Sequence, residues 1–137
     1  MVRVARFLGI LSVVAICAAC TPSEAIWGPD GQAIRSTTQT LIDDIQKTGA
    51  SELICDDATV DLGSPSDWTN RTPGEPEQMG GESWPEQAEL SASWLINLQG
   101  RPDGATASST YPVFVFYRGS ASSACVIDVE WSLPSSS

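Results

Sequence analysis

The chain has no histidine and few basic residues, and each shortage excludes a class of function. Without an imidazole, a histidine general base, a serine–histidine triad and a histidine-bound metal are all excluded. Seven Lys and Arg face seventeen Asp and Glu in 137 residues, for a net charge of −10. A nucleic-acid-binding protein needs a basic surface that displaces counterions, so nucleic acid is not an expected partner. A chain of this length accommodates one domain of ordinary size.

The apolar run near the N-terminus is too short for a permanent membrane span. Residues 7–19 carry no charge, but a transmembrane helix needs ~17–25 apolar residues. Arg3 and Arg6 precede the run, which is typical of a secretory signal peptide over residues 1–19. Removal of that segment leaves five basic and seventeen acidic residues, a net charge of −12.

The end of the signal segment carries a recognisable motif. Ala18 and Ala19 precede Cys20, and the segment resembles the lipobox of bacterial lipoproteins. The position three before the cysteine departs from the family, since Cys17 stands where an aliphatic residue is usual. The small, acidic chain is also similar to actinobacterial lipoproteins. The resemblance implies that Cys20 is acylated and that the protein is anchored to the outer face of the bacterial cell membrane. The alternative is cleavage after Ala19 and release as a secreted protein.

Cysteine is scarce in the remaining chain. Cys17 leaves with the signal peptide and Cys20 is consumed by lipid, so only Cys55 and Cys125 are left. A single pair in an exported domain predicts a Cys55–Cys125 disulfide. The chain has no CxxC motif and no thiol–histidine pair, so redox or cysteine-nucleophile chemistry is not expected.

One helix is predicted, over Gln32–Thr48, after a tether at residues 20–31. Its apolar positions recur at helical spacing and form a stripe along one face, made of Ile34, Thr38, Leu41, Ile42 and Ile45. Gly49 is the expected stop. The following residues, 52–62, are ambiguous, because they suit either a half-exposed strand or a helical turn before one.

The C-terminal third predicts antiparallel strands. Residues 91–100 and 124–132 alternate apolar and polar side chains, with Cys125, Ile127, Val129 and Trp131 expected on one buried face. Residues 111–118 are apolar on both faces, which is typical of a central strand. The expected fold is therefore α+β, with one N-terminal helix packed on a three- to four-stranded antiparallel meander. It forms a single domain over residues 32–133, and residues 134–137 form a disordered tail.

Residues 63–87 predict a long polar loop. Gly and Pro make up eight of these 25 residues, and Val, Ile and Leu are absent. The segment carries Trp68 and Trp84 as candidate ligand contacts, because exposed indoles stack on sugars or grip peptides. The alternative is that each ring anchors the loop by folding back onto the sheet.

Carboxylates are the remaining candidate functional groups. Asp56, Asp57 and Asp61 could gather Ca²⁺, but they lack the glycine and the final glutamate of an EF-hand, and we expect a solvated strand edge. No metal, cofactor or catalytic residue is assigned. We expect a non-enzymatic interaction or ligand-binding module, whose partners are the bilayer through acylated Cys20 and a protein or envelope glycan. The alternative is a small exported hydrolase that uses carboxylates alone, which requires two buried acids in a cleft.

Overall fold

The structure is a computed structural model that describes residues 22–80 and 82–134. The predicted signal peptide, Cys20 and the last three residues of the predicted tail lie outside the described residues. One helix packs on a four-stranded antiparallel sheet, which confirms the α+β fold expected from the sequence.

The helix α1 spans Pro22–Thr48 and is interrupted at Gly28, whose backbone has φ 72° and ψ 171°. All five residues of the predicted apolar stripe are buried, namely Ile34, Thr38, Leu41, Ile42 and Ile45. The described part of the predicted tether, residues 22–31, has helical backbone on both sides of Gly28. Gly28 takes a conformation that glycine adopts without strain, and Pro29 is then tolerated because a first-turn residue needs no amide hydrogen bond.

The sheet contains β1 (Thr72–Gln78), β2 (Trp94–Gln99), β3 (Pro112–Arg118) and β4 (Cys125–Trp131), in that spatial order. Every neighbouring pair is antiparallel. The three predicted C-terminal strands are therefore present, and β3 is central with neighbours on both sides. A short helix, α2 (Pro85–Glu89), connects β1 to β2.

The strand β1 corrects the prediction of an uninterrupted loop over residues 63–87. This segment also contains a 3₁₀ turn at Pro65–Trp68 and the start of α2. β1 was missed because Pro73 and Pro76 lack amide donors, and proline normally argues against a strand. The strand tolerates them at the edge of the sheet, where a register shift separates the two prolines.

Residues 52–62, for which a strand was considered, form no regular strand. Ile54 makes one isolated parallel bridge with Val126. The amide of Val126 donates to the Leu53 carbonyl (2.7 Å), and the amide of Cys55 donates to the Val126 carbonyl (2.9 Å). This short contact covers the outer edge of β4 at its start and brings Cys55 beside the sheet.

The two faces of the sheet differ in what covers them. We call the face under α1 the inner face; it holds the main core, which includes Ile96, Val115, Tyr117, Val126 and Val129. We call the opposite face the outer face; it holds a smaller cluster around Leu95, Phe116 and Ile127.

The cysteines are paired as the sequence predicts, but on the other face. The sulfur atoms of Cys55 and Cys125 lie at bonding distance, with 4.9 Å between the Cα atoms. Cys125 was expected on the same face as Val129, under the helix. A register shift in the β3–β4 pairing inserts one extra residue into β4, so Cys125 and Ile127 face outward while Val126 and Val129 face α1.

Candidate functional site

Trp68 does not contact the solvent, so its assignment as a ligand contact is wrong. Its side chain is fully buried in the inner core, and its indole N–H donates to the Leu62 carbonyl at 2.7 Å. The ring anchors the 3₁₀ turn against α1, where Gln46 also donates to the Trp68 carbonyl (2.6 Å). A large aromatic ring is more stable buried with its polar atom paired than exposed on a loop.

Trp84, the second candidate indole, lies half-buried on the outer face. It directly precedes α2, and its ring meets those of Phe114 and Phe116 edge-on, with 5.1 Å between centroids in each case. The buried Gln87 holds α2 in place, because its amide donates to the Asp128 carboxylate (2.9 Å). Trp84 therefore both anchors α2 and leaves part of its ring accessible, so a ligand contact at this residue stays a prediction.

A concavity of about 270 Å³ lies on the outer face across β1, β2 and β3. We call it the outer groove; its lining residues are Glu75, Glu77, Leu95, Asn97 and Phe114. The antiparallel register brings them together, since Glu77 pairs with Leu95 and Asn97 pairs with Phe114. Alternate residues of each strand then point to the same face.

Backbone geometry fixes one wall of the outer groove. The Asn97 side-chain oxygen accepts the amide N–H of Glu75 at 2.6 Å. A Cβ atom at residue 74 would overlap the Asn97 side chain, so Gly74 is required for this contact. The asparagine thereby bridges β1 to β2 where the register shifts, and its NH₂ group has no acceptor within the described residues.

The two carboxylates of the outer groove are not used by the fold. Glu75 and Glu77 are exposed, and neither carboxylate has a hydrogen-bond or ion-pair partner within residues 26–80 and 82–134. Leu95 and Phe114 form an apolar floor beneath them. The alternation Glu75-Pro76-Glu77 is typical of a strand with both carboxylates on one face. The prolines argue against a strand, so sequence analysis did not predict this arrangement.

A larger concavity of about 520 Å³ lies at the C-terminal end of α1. Most of its polar groups are already paired with the protein. The Thr48 hydroxyl lies within hydrogen-bond distance of the Asp44 and Ala50 carbonyls and can donate to either, and the Ser51 hydroxyl donates to the Asp44 carboxylate at 2.8 Å. No aromatic side chain lines it; the residues are Thr40, Asp44, Thr48, Ala50, Ser51, Glu52 and Leu53. Its few unpaired groups make it a weaker candidate for recognition than the outer groove.

The remaining carboxylates form no buried pair among the residues whose side chains the structure describes. Every Asp and Glu in residues 26–80 and 82–134 is exposed or half-buried. The Asp57 carboxylate pairs with Arg118, whose hydrogen bond lowers the pKa of Asp57. Asp61 instead accepts the Gly63 amide at 2.9 Å. The described residues contain no cluster of three or more Cys, Asp or Glu placed to hold a metal ion.

None of the helices in the described ranges is both long and apolar enough to span a bilayer. Comparisons of the chain with protein-family models, with curated proteins and with solved structures find no match.

Proposed function

We propose that the protein is a lipid-anchored, extracytoplasmic interaction module that binds a partner through the outer face of its sheet. Acylated Cys20 anchors it to the outer surface of the bacterial cell membrane. The lipobox-like Ala18-Ala19-Cys20 supports the anchor, and the Cys55–Cys125 pair suits an oxidising compartment. The proposed role is non-enzymatic, because no histidine is present to activate a serine or a cysteine, and a hydrolase using carboxylates alone would need two buried acids in a cleft.

The observation that carries the binding role is the unequal cover of the two sheet faces. α1 and the turn at Trp68 bury the inner face. The outer face is covered only in part, by α2 and by the segment around Cys55. Trp84, Met79 and Phe114 stay half-buried there, and Leu90 is 44% exposed at the end of α2. Apolar groups grouped beside a concave, polar-rimmed surface are typical of interaction sites.

The anchor is tested by replacing the predicted lipidated cysteine. Wild type should partition into the detergent phase and incorporate labelled fatty acid, because two or more acyl chains hold a protein stably on a bilayer. Cys20→Ala should lose both properties, and Cys17→Ala should keep them. Equal partitioning of wild type and Cys20→Ala into the aqueous phase would refute the lipid anchor and favour the alternative, release as a secreted protein.

The binding surface is tested by photo-crosslinking in intact producing cells. A photo-crosslinking amino acid replaces either Leu90, at the end of the outer-face helix α2, or Leu133, which is 88% exposed near the chain end. We expect discrete products from position 90 only, and we expect Phe114→Thr to suppress them because it removes the groove floor. Products that are identical from both positions, or that are insensitive to Phe114→Thr, contradict an outer-face binding site.

A further inference from the structure

We propose that the outer groove seats a lysine or arginine side chain from a basic segment of a partner protein. This inference rests on the proposed function and names the partner's chemistry.

Charge complementarity is the first argument. The groove presents two carboxylates that the fold does not neutralise, and no basic residue lines it. Three of the five basic side chains in the described residues are engaged elsewhere: Arg71 is buried, Arg118 pairs with Asp57, and Arg35 lies over the Trp27 ring at 5.6 Å. The other two, Lys47 and Arg101, are exposed and do not line the groove. A net charge of −12 after residue 19 adds a long-range field that attracts cations and accelerates their encounter.

The shape and chemistry of the floor favour a side chain with an apolar stem. Lysine and arginine bury their methylenes against apolar surface while the charged end stays at a polar rim. Leu95 and Phe114 provide that surface, and the Phe114 ring can also attract a cation through its face. The volume of about 270 Å³ is below the ~300–1,000 Å³ of typical small-molecule pockets, so it suits one side chain better than a whole ligand.

Two features distinguish a peptide segment from a free cation. The Asn97 NH₂ group lacks an acceptor within the described residues, and a peptide carbonyl could supply one whereas a simple polyamine cannot. The half-buried Trp84, which contacts Phe114, offers apolar contact beyond the groove itself. The partner does not bind by adding a strand to β1, because Pro73 and Pro76 remove amide donors from that edge.

The test titrates the detergent-solubilised, disulfide-intact protein with two capped peptides, Ser-Gly-Arg-Gly-Arg-Gly-Ser and the same peptide with citrulline in place of arginine. The groove variant is Glu75→Gln with Glu77→Gln. The matched control is Asp43→Asn with Glu52→Gln, which removes the same charge from the helix side of the molecule. The two variants should have coincident unfolding curves at or slightly above the wild-type midpoint, because each loses two exposed negative charges and the fold uses neither groove carboxylate.

We expect the arginine peptide to bind wild type and the control alike, and to bind the groove variant roughly tenfold more weakly. The citrulline peptide should bind wild type roughly tenfold more weakly than the arginine peptide does. Added salt should weaken the binding of the arginine peptide to wild type. Three results overturn the inference: no binding of the arginine peptide to wild type, an equal loss in both variants, or spermine binding as tightly as the peptide with the same dependence on Glu75 and Glu77.

The two proposals fail in different ways. If the Leu90 crosslink survives in the Glu75→Gln, Glu77→Gln background but is lost with Phe114→Thr, the outer face binds a partner without a basic anchor. That result overturns the inference and leaves the proposed function standing. If the crosslink is insensitive to both changes, the outer-face function itself is contradicted.

Discussion

Thr38 and Tyr117 share a hydrogen bond inside the inner core, with 2.7 Å between their oxygen atoms. The Thr38 hydroxyl has one proton, which it donates to the Ile34 carbonyl at 2.8 Å. The Tyr117 hydroxyl must therefore be the donor to Thr38. Removing the acceptor, Thr38, should therefore cost a different free energy of unfolding from removing the donor, Tyr117.

Thr38→Val should be more destabilising than Tyr117→Phe. The valine leaves a buried tyrosine hydroxyl without an acceptor, which costs about 1–3 kcal/mol, whereas the phenylalanine leaves Thr38 bonded to Ile34 and costs about 1 kcal/mol. Urea denaturation of both variants measures the difference. The reverse order would show that the donor assignment is wrong.

Tyr117 also predicts how stability responds to alkaline pH. Burial raises the pKa of its hydroxyl far above the ordinary value of 10.0, so the native protein keeps the proton while the unfolded chain releases it. The protonated Tyr117 hydroxyl makes its full contribution to the free energy of unfolding below pH 10. That contribution is lost as pH rises above 10, since the native state then binds more protons than the unfolded state. The free energy of unfolding should fall more steeply above pH 10 in wild type than in Tyr117→Phe. Parallel pH profiles would contradict this linkage.

Arg71 is a structural residue that sequence analysis overlooked. It is 3% exposed, and its guanidinium donates to the carbonyls of Leu98, Gly100 and Pro112. Its charge lies 5.0 Å from the centre of the Tyr111 ring, and burial lowers its pKa. One side chain thus ties the start of β1 to the end of β2 and the start of β3.

We expect Arg71→Lys to cost about 2–3 kcal/mol, because an ammonium lacks the planar fork that reaches several carbonyls at once. Arg101→Lys is the matched control, since Arg101 is exposed and also lies near Tyr111, at 6.0 Å. Its effect should stay within about 0.5 kcal/mol. Guanidinium denaturation compares the two, and equal costs would show that the three carbonyl contacts contribute little.

At the scale of elements, the disulfide joins the segment after α1 to the first residue of β4. It links residues 70 apart in the chain, for which the chain-entropy model gives about 4 kcal/mol. Cys55→Ala with Cys125→Ala should lower the unfolding midpoint and speed hydrogen exchange at the Val126 amide, which bonds the Leu53 carbonyl. The β2–β3 amides serve as the internal reference. Unchanged exchange at Val126 would mean that the bridge does not hold this segment.

Local pattern was enough for some elements and not for others. The helical stripe from Ile34 to Ile45, the alternation in residues 91–100 and 124–132, and the continuous apolar run in residues 111–118 are each visible within one segment, so α1, β2, β3 and β4 could be predicted. β1 could not be predicted, because Pro73 and Pro76 are tolerated only at a sheet edge, and the edge position depends on β2. The predicted face of Cys125 was wrong for a similar reason, since the register shift in β4 arises from its pairing with β3 and is not visible within the β4 segment.

At the scale of the whole molecule, the acidic charge should oppose folding through self-repulsion. Seventeen carboxylates face seven basic residues, and the described residues contain one salt bridge, Arg118–Asp57. Salt screens repulsion between exposed charges, so raising NaCl from about 20 to about 300 mM should increase the unfolding temperature by a few degrees. Thermal denaturation at the two salt concentrations checks this. A decrease would show that the surface ion pair outweighs the net repulsion.

The sequence by itself determined the net charge, the exclusion of histidine chemistry, the cysteine pair and the α+β class. These depend on composition or on periodicity within a single segment. Only the tertiary structure decided that Trp68 is buried, that Trp84 meets Phe114, and that Glu75 and Glu77 share a groove with Asn97. The burial of Trp68 depends on how the 3₁₀ turn packs on α1, and the position of Trp84 depends on how α2 packs on the outer face. The groove depends on the register between strands distant in sequence, because a shift of one residue moves a side chain to the opposite face.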